Sequence, residues 1–234
     1  RYPSASSQTL VTAFTYDRMN RLVQKTRAAG TDDEAVETIH YDSLGEIWKT
    51  VDPLGHTTRF EYNDQSWLVL ETRAYGTTVA FALVYRYDRA GNRTEVLDAR
   101  GEDYKTFYTF DALNRVIAIT RAPGTPDAAT QYYGFDEAGH LAYQIDPRGD
   151  GLTDAYKSTY TYDAAGQLIE ETDPVGRSTT YEYDAAGNRT LVTDPWDNET
   201  RYDYDNMNRL VRVTQPVDGK AQITDYEYDL AGNR

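Results

Sequence analysis

The sequence predicts an all-β protein: a repetitive antiparallel β-hairpin meander whose sheet curls or spirals. Three observations carry this expectation. Aromatic-x-aromatic-acid units, one of them a variant, recur ten times along 234 residues. In nine of the ten, Gly or Asn stands three residues after the acid position, and both residues tolerate positive φ. A second turn signal lies about ten residues after many of the units, so breakers are too dense for a helix and leave room only for short strands.

The units follow in order. The first is FTYD, with Tyr16, Asp17 and Asn20; the second is the variant IHYD, with Tyr41, Asp42 and Gly45. The third, FEYN, departs, placing Asn63 at the acid position and Ser66 where Gly or Asn is the rule, so its turn is expected to be the least regular. YRYD brings Tyr87, Asp88 and Gly91; YTFD brings Phe110, Asp111 and Asn114; YGFD brings Phe135, Asp136 and Gly139. YTYD gives Tyr162, Asp163 and Gly166, and YEYD gives Tyr183, Asp184 and Gly187. YDYD gives Tyr204, Asp205 and Asn208, and the last YEYD gives Tyr228, Asp229 and Gly232. Successive acid positions stand 21 to 27 residues apart. Residues 14–234 are therefore expected to form one continuous β domain behind a lead-in of residues 1–13.

Asp opening a turn and an αL residue closing it fit a type I turn with a G1 bulge. In YEYDAAGNRT, Asn188 and Arg189 are expected to begin the return strand. DPLG, DARG, DPRG, DPVG and DPWD supply the second turn, again with type I preferences. Two longer polar stretches, 27–38 and 121–131, are expected to project as loops that meet partners.

The two rings of Tyr-x-Tyr share one face of a strand, and the mostly polar residue between them faces the other way. The return strands are mixed, and RVIAIT is apolar on both faces, so some strands are expected to be covered on both sides. A parallel β-helix would stack equivalent acids about 4.8 Å apart, well inside the Debye length. A meander spaces them roughly 9–10 Å apart, and the paired turns favour it. About twenty strands exceed what an open twisted sheet carries without curling. Closed into one ring, such a sheet would be about 30 Å wide, too narrow to hold a folded domain.

Composition narrows the function classes. A formal net charge of −14 opposes nucleic acid and anionic membrane surfaces, which need clustered cations. No apolar run reaches the length of a membrane-spanning helix, so membrane insertion is not expected. Without cysteine, disulfide and thiolate chemistry are absent. No cofactor, metal site or catalytic residue is expected. His40, His56 and His140 have no ligand-like spacing, and no nucleophile elbow, P-loop or dinucleotide motif occurs. Acids cluster at 203–208 and 146–154, but neither stretch matches a calcium loop, and Asx turns account for them. Arg148-Gly149-Asp150 spells an adhesion tripeptide that a DPRG turn already explains.

The pattern Y-x-Y-D-x-x-G-N-R, a short apolar run and D-P-x-G, clearest at 160–176 and 181–197, resembles the YD repeat of Rhs-type proteins. That family includes bacterial polymorphic toxins, shell subunits of Tc-type insecticidal toxins, and teneurins. The resemblance implies a spiralling antiparallel sheet that builds a hollow shell around a toxin or peptide. It also implies a secreted or cell-surface location and an association with carbohydrate binding. Neither the Asp-rich self-cleavage motif nor the variable toxin of Rhs shells is found in these residues. The opening on Arg1 and the close within a motif at Arg234 suggest a piece of a longer chain. The expected partners are flanking repeats or domains of that chain, other sheet edges, and a glycan or protein receptor. The function expected is a non-catalytic shell segment. The alternative is a binding module in which tyrosine and tryptophan rings, among them Trp48, Trp67 or Trp196, share one groove.

Overall fold

The computed structural model describes residues 11–148, 156–217, 219–229 and 231–234. Most of the lead-in, Gly149 and Asp150 of the tripeptide, and most of the acidic stretch 146–154 lie outside the described residues. Among the described residues nineteen strands form one antiparallel sheet. The only helical element among the described residues is a 3-10 turn, Glu102–Tyr104, which follows DARG.

The described residues fall into two compact units. The first holds residues 11–108 with 121–127. It contains β1 (Ala13–Tyr16), β2 (Leu22–Arg27), β3 (Ala35–Tyr41), β4 (Ile47–Val51), β5 (Thr57–Tyr62), β6 (Leu68–Arg73), β7 (Phe81–Tyr87), β8 (Arg93–Leu97) and the start of β9 (Lys105–Phe110). Each of these strands pairs antiparallel with the next. The second unit holds the described residues of 109–120 and 128–234. It contains most of β10 (Val116–Arg121), then β11 (Ala129–Phe135), β12 (Leu141–Ile145), β13 (Lys157–Tyr162), β14 (Leu168–Thr172), β15 (Ser178–Tyr183), β16 (Arg189–Thr193), β17 (Glu199–Tyr204), β18 (Leu210–Val217) and β19 (Lys220–Asp225). From β11 to β19 pairing is again antiparallel between sequence neighbours. The meander is thus the fold.

Every Tyr-x-Tyr-Asp hairpin with a recorded register shows a bulge at its tip, as between Glu182 and Tyr183 opposite Leu191 and Arg189. The αL residue produces it: Gly187 has φ 88° and Asn208 φ 58°, and the extra residue is absorbed at the strand end. The third turn is as regular as the others, against expectation. Ser66 takes φ 62°, its N–H donates to the Asn63 carbonyl at 2.9 Å, and the Asn63 N–H reaches the Trp67 carbonyl at 3.0 Å. An amide oxygen accepts the turn's N–H groups as a carboxylate oxygen does, so the exchange of Asp for Asn leaves the backbone unchanged.

The two long stretches hold loops, 28–34 and 122–128, closed at their ends by strand residues. β3 begins at Ala35 and pairs with β2 from Arg27↔Ala35 onward, and β11 begins at Ala129. What remains is a compact loop written three times as Arg-Ala-x-Gly-Thr, from Arg27, Arg73 and Arg121. Its Ala takes φ 50°, 50° and 47° at Ala28, Ala74 and Ala122. The following Thr31, Thr77 and Thr125 hydroxyls donate back to that Ala carbonyl at 2.7–2.8 Å. These loops alternate with the Asp-Pro-x-Gly class: DPLG, DARG and DPRG begin at Asp52, Asp98 and Asp146. In both classes the starts stand 46 and then 48 residues apart. Over the first six repeats the true period is therefore two hairpins.

Burial is shallow throughout. Among the described residues only Tyr85, Ile145 and Leu191 of the hydrophobic side chains are buried, and none is sealed completely. β10, expected to be covered on both faces, has its apolar residues half-buried. Strands contact chiefly their sequence neighbours, so stability is built from neighbour interfaces rather than one deep core.

Candidate functional site

The chemistry-bearing residues converge at the hairpin tips, and their geometry is the same from tip to tip. In YEYDAAGNR, Asp184 Oδ1 accepts the N–H groups of Ala186 and Asn188, both at 2.9 Å. Its Oδ2 accepts from Asn188 Nδ2 at 2.9 Å. Asn188 therefore belongs to the turn, and β16 begins only at Arg189; its side chain finds a better acceptor in the carboxylate than a strand would offer. The same lock closes on Asp17 with Arg21, on Asp111 with Arg115 and on Asp205 with Arg209. It closes on Asp88 and Asp229 with Asn92 and Asn233, and on Asp136 with His140. Asp42 and Asp163 use Oδ1 alone in the same way.

Three of the opposite turns are built likewise, while Asp98 and Asp146 hold Arg100 and Arg148, two residues on. Asp52, Asp173 and Asp194 hold His56, Arg177 and Asn198, each four residues on. The carboxyls of Asp17, Asp88, Asp111, Asp184, Asp194, Asp205 and Asp229 sit below their ordinary range as a result. The side chain four residues on is the chief cause at Asp88, Asp184, Asp194, Asp205 and Asp229. At Asp17 and Asp111 the backbone N–H of Arg21 and of Arg115 contributes most. Hydrogen bonds to the charged form favour it.

The second aromatic of each unit has a distinct task. The Tyr183 hydroxyl donates to the Leu168 carbonyl at 2.8 Å, tying its hairpin to the previous one. Tyr41, Tyr62, Tyr87, Tyr162, Tyr204 and Tyr228 do the same to Leu22, Ile47, Leu68, Leu141, Arg189 and Leu210. Each acceptor is the first residue of the neighbouring return strand, where the ladder has ended and a carbonyl would otherwise lack a protein partner. The turn residue of the preceding tip often covers the ring. Arg21 lies 4.4 Å from the Tyr41 centroid, Arg115 4.3 Å from Phe135 and Arg209 4.6 Å from Tyr228. His140 stacks on Tyr162 at 4.7 Å.

The first aromatic packs elsewhere. Arg189 lies over both Tyr181 and Tyr202, at 5.7 and 5.4 Å, and Arg93 over Tyr85 and Tyr108, at 5.4 and 5.9 Å. The Tyr85 hydroxyl also donates to Glu71 at 2.9 Å. Burial, reinforced by that carboxylate, pushes the Tyr85 phenol up to about 12. In these tips the signature is thereby engaged: rings on guanidinium groups, hydroxyls on carbonyls, carboxylates on their own turns.

The remaining candidates separate. His56 and His140 serve their own turns, while His40 lies 6.1 Å from Trp48. Among the described residues no three His, Asp or Glu side chains converge as metal ligands do. In the stretch 203–208 both Asp205 oxygens are taken by Met207, Arg209 and its guanidinium. Trp48 and Trp196 are exposed. Trp67 lines an open cleft of about 810 Å³ beside the third tip, with Tyr85 and Tyr87.

Sequence reasoning missed the residue four after each acid, because Arg, Asn, His and Gln share no class except as side-chain donors. It also missed the Arg-Ala-x-Gly-Thr loop, since Ala carries no signal for positive φ. The tyrosine hydroxyls left a trace in the excess of 21 Tyr over 6 Phe.

Comparison with known proteins agrees with this geometry. The RHS Repeat family model matches residues 41–78 and 162–195. No curated protein matches the chain. The TcdB2-TccC3-TEV crystal structure is similar at a TM-score of 0.74 and 20% identity, over 95% of this chain and 12% of that one. TcdB2-TccC3 without its hypervariable C-terminal region gives 0.69 and 19%, over 97% and 14%. At such identities the likeness is one of fold, and the chain spans only about an eighth of those structures' length. Residues 41–78 and 162–195 thus match the RHS repeat, and the chain is similar in fold to the TcdB2-TccC3 structures.

Proposed function

We propose that the chain is a non-catalytic wall segment of an Rhs/YD-repeat protein. Its ten repeats act as one continuous β domain within a toxin-enclosing shell or surface scaffold, outside the cell or at its surface. The observation that carries this reading is the use made of the repeated signature: its polar atoms and rings are committed to closing turns and joining neighbouring hairpins. A catalytic motif needs free groups in one copy, whereas a wall needs the same joint many times. The alternative, a carbohydrate or receptor module reading ligands on tyrosine faces, has to compete with that packing.

The test uses the parent protein with its flanking segments. If these repeats form wall, limited proteolysis should spare an enclosed segment in the intact parent and digest it once residues 160–205 are deleted. Equal digestion in both would sink the proposal. A glycan array probed with the intact chain addresses the alternative, which fails if no glycan binds.

A further inference from the structure

The third tip breaks the shared pattern at several positions, and the breaks meet in one cleft. At every other tip the residue two after the acid is Met, Leu or Ala; here it is Gln65, exposed. Asn63 spends its Oδ1 on the N–H groups of Gln65 and Trp67, each at 3.0 Å. Its Nδ2 has no partner among the described residues, because Trp67 stands where most other tips place a side chain that bonds back to the acid. Arg89, exposed on the neighbouring tip, is likewise unpaired among the described residues. Asp88 beside it is already saturated by Ala90, Asn92 and the Asn92 amide.

The apolar wall of the cleft is Trp67 against Tyr87, with centroids 5.3 Å apart and planes tilted by 40°, and Tyr85 adjoins it. Trp67 is held over the Gly91 turn: a Cβ on Gly91 would come within 3.0 Å of the indole. The cleft is open, with a volume of about 810 Å³. Its uncommitted polar groups are two primary amides and a guanidinium, rich in donors around an aromatic wall.

We propose that this cleft binds an extended, proline-rich peptide segment of a partner protein. A polyproline II segment makes no internal hydrogen bonds, so its carbonyls stand free for donors such as Asn63 Nδ2, Gln65 and Arg89. Its pyrrolidine rings are flat, apolar and already restricted, so they pack on Trp67 and Tyr87 at small entropic cost. Arg89 adds a preference for an acidic residue at one end of the segment. This goes beyond the wall role: seven other tips bond the side chain four after the acid back to that acid, whereas here the Asn63 amide stays available.

The test titrates an oligoproline peptide ending in Asp into the full chain carrying Trp48→Phe and Trp196→Phe, which leaves Trp67 as the sole tryptophan. The expected result is a saturable change in its emission. Gln65→Ala and Arg89→Ala should each weaken binding about tenfold. Neither side chain closes a turn, so both variants should keep the parent circular dichroism spectrum. Arg18→Ala, at the matching position of the first tip, should bind as the parent does. The proposal is overturned by a response that fails to saturate into the millimolar range, or by an equal response to a Gly-Ser peptide. It is overturned too by unchanged affinity in both cleft variants, or by saturation with an oligosaccharide and not with the peptide.

Discussion

The tyrosine hydroxyl separates Tyr from Phe in this chain. Seven hydroxyls donate to the first carbonyl of a neighbouring return strand at 2.8–3.1 Å. Phe110 and Phe135 occupy the same place without that bond, and Arg115 covers Phe135 at 4.3 Å. A buried or half-buried carbonyl left without a partner costs about 1 kcal/mol or more. Tyr183→Phe should therefore destabilise the protein by about 1 kcal/mol, read as a lower midpoint in urea. Phe135→Tyr should move the midpoint the other way, because the Val116 carbonyl is its expected acceptor. If Tyr183→Phe leaves the midpoint in place, the hydroxyl does not join the hairpins in solution.

At the scale of the hairpin, the residue four after the acid decides how well a tip is locked. Arg21 bonds Asp17 and covers Tyr41. Glu46 stands in the same place after Asp42, and its Oε1 is buried without a hydrogen-bond partner. A carboxylate cannot donate to a carboxylate. Glu46→Arg should stabilise the second hairpin by about 0.5–1 kcal/mol through a partly exposed pair, seen as slower amide exchange in β3 and β4. Slower exchange nowhere, or faster exchange there, would show that the lock does not transfer between tips.

β11 carries a second element-level constraint. A Cβ on Gly134 would lie 2.0 Å from the Tyr143 ring, which rests over the bare backbone with Lys157 4.8 Å from its centroid. Gly134→Thr should cost about 1–3 kcal/mol by overpacking, but far less in a Tyr143→Ala background. Equal costs in both backgrounds would contradict the contact.

For the molecule as a whole, the repeated Asp locks couple folding to acid. At Asp17, Asp88, Asp111, Asp184, Asp194, Asp205 and Asp229 the folded carboxyl titrates below its unfolded value. Their stabilisation is complete above the unfolded pKa of about 3.9 and is lost as pH falls through the lower folded values. The urea midpoint should be level above about pH 5 and drop steadily below about pH 4. A midpoint that holds down to pH 2 would mean the carboxylates contribute little. Because strands touch chiefly their neighbours, damage at one tip should spread only to adjacent hairpins.

The repeat period, the all-β class, the tip turns and the two faces of Tyr-x-Tyr were legible in the sequence because they are local. Each depends on φ preferences and on alternation within a few residues, and both are written in residue identity. The regularity of the third tip was not legible, because Asn63 and Asp differ in charge but present the same acceptor to the turn. The strand nature of 35–38 was hidden as well, since polar Glu37 and Thr38 become strand only by pairing with Lys25 and Gln24. The joints between hairpins were decided by tertiary structure alone. Tyr183 and Leu168, or Arg189 and Tyr202, lie 13 to 15 residues apart in sequence and meet only after strand register is set. The cleft at Trp67 has the same origin: its substitutions could be read singly, but their convergence required neighbouring hairpins side by side.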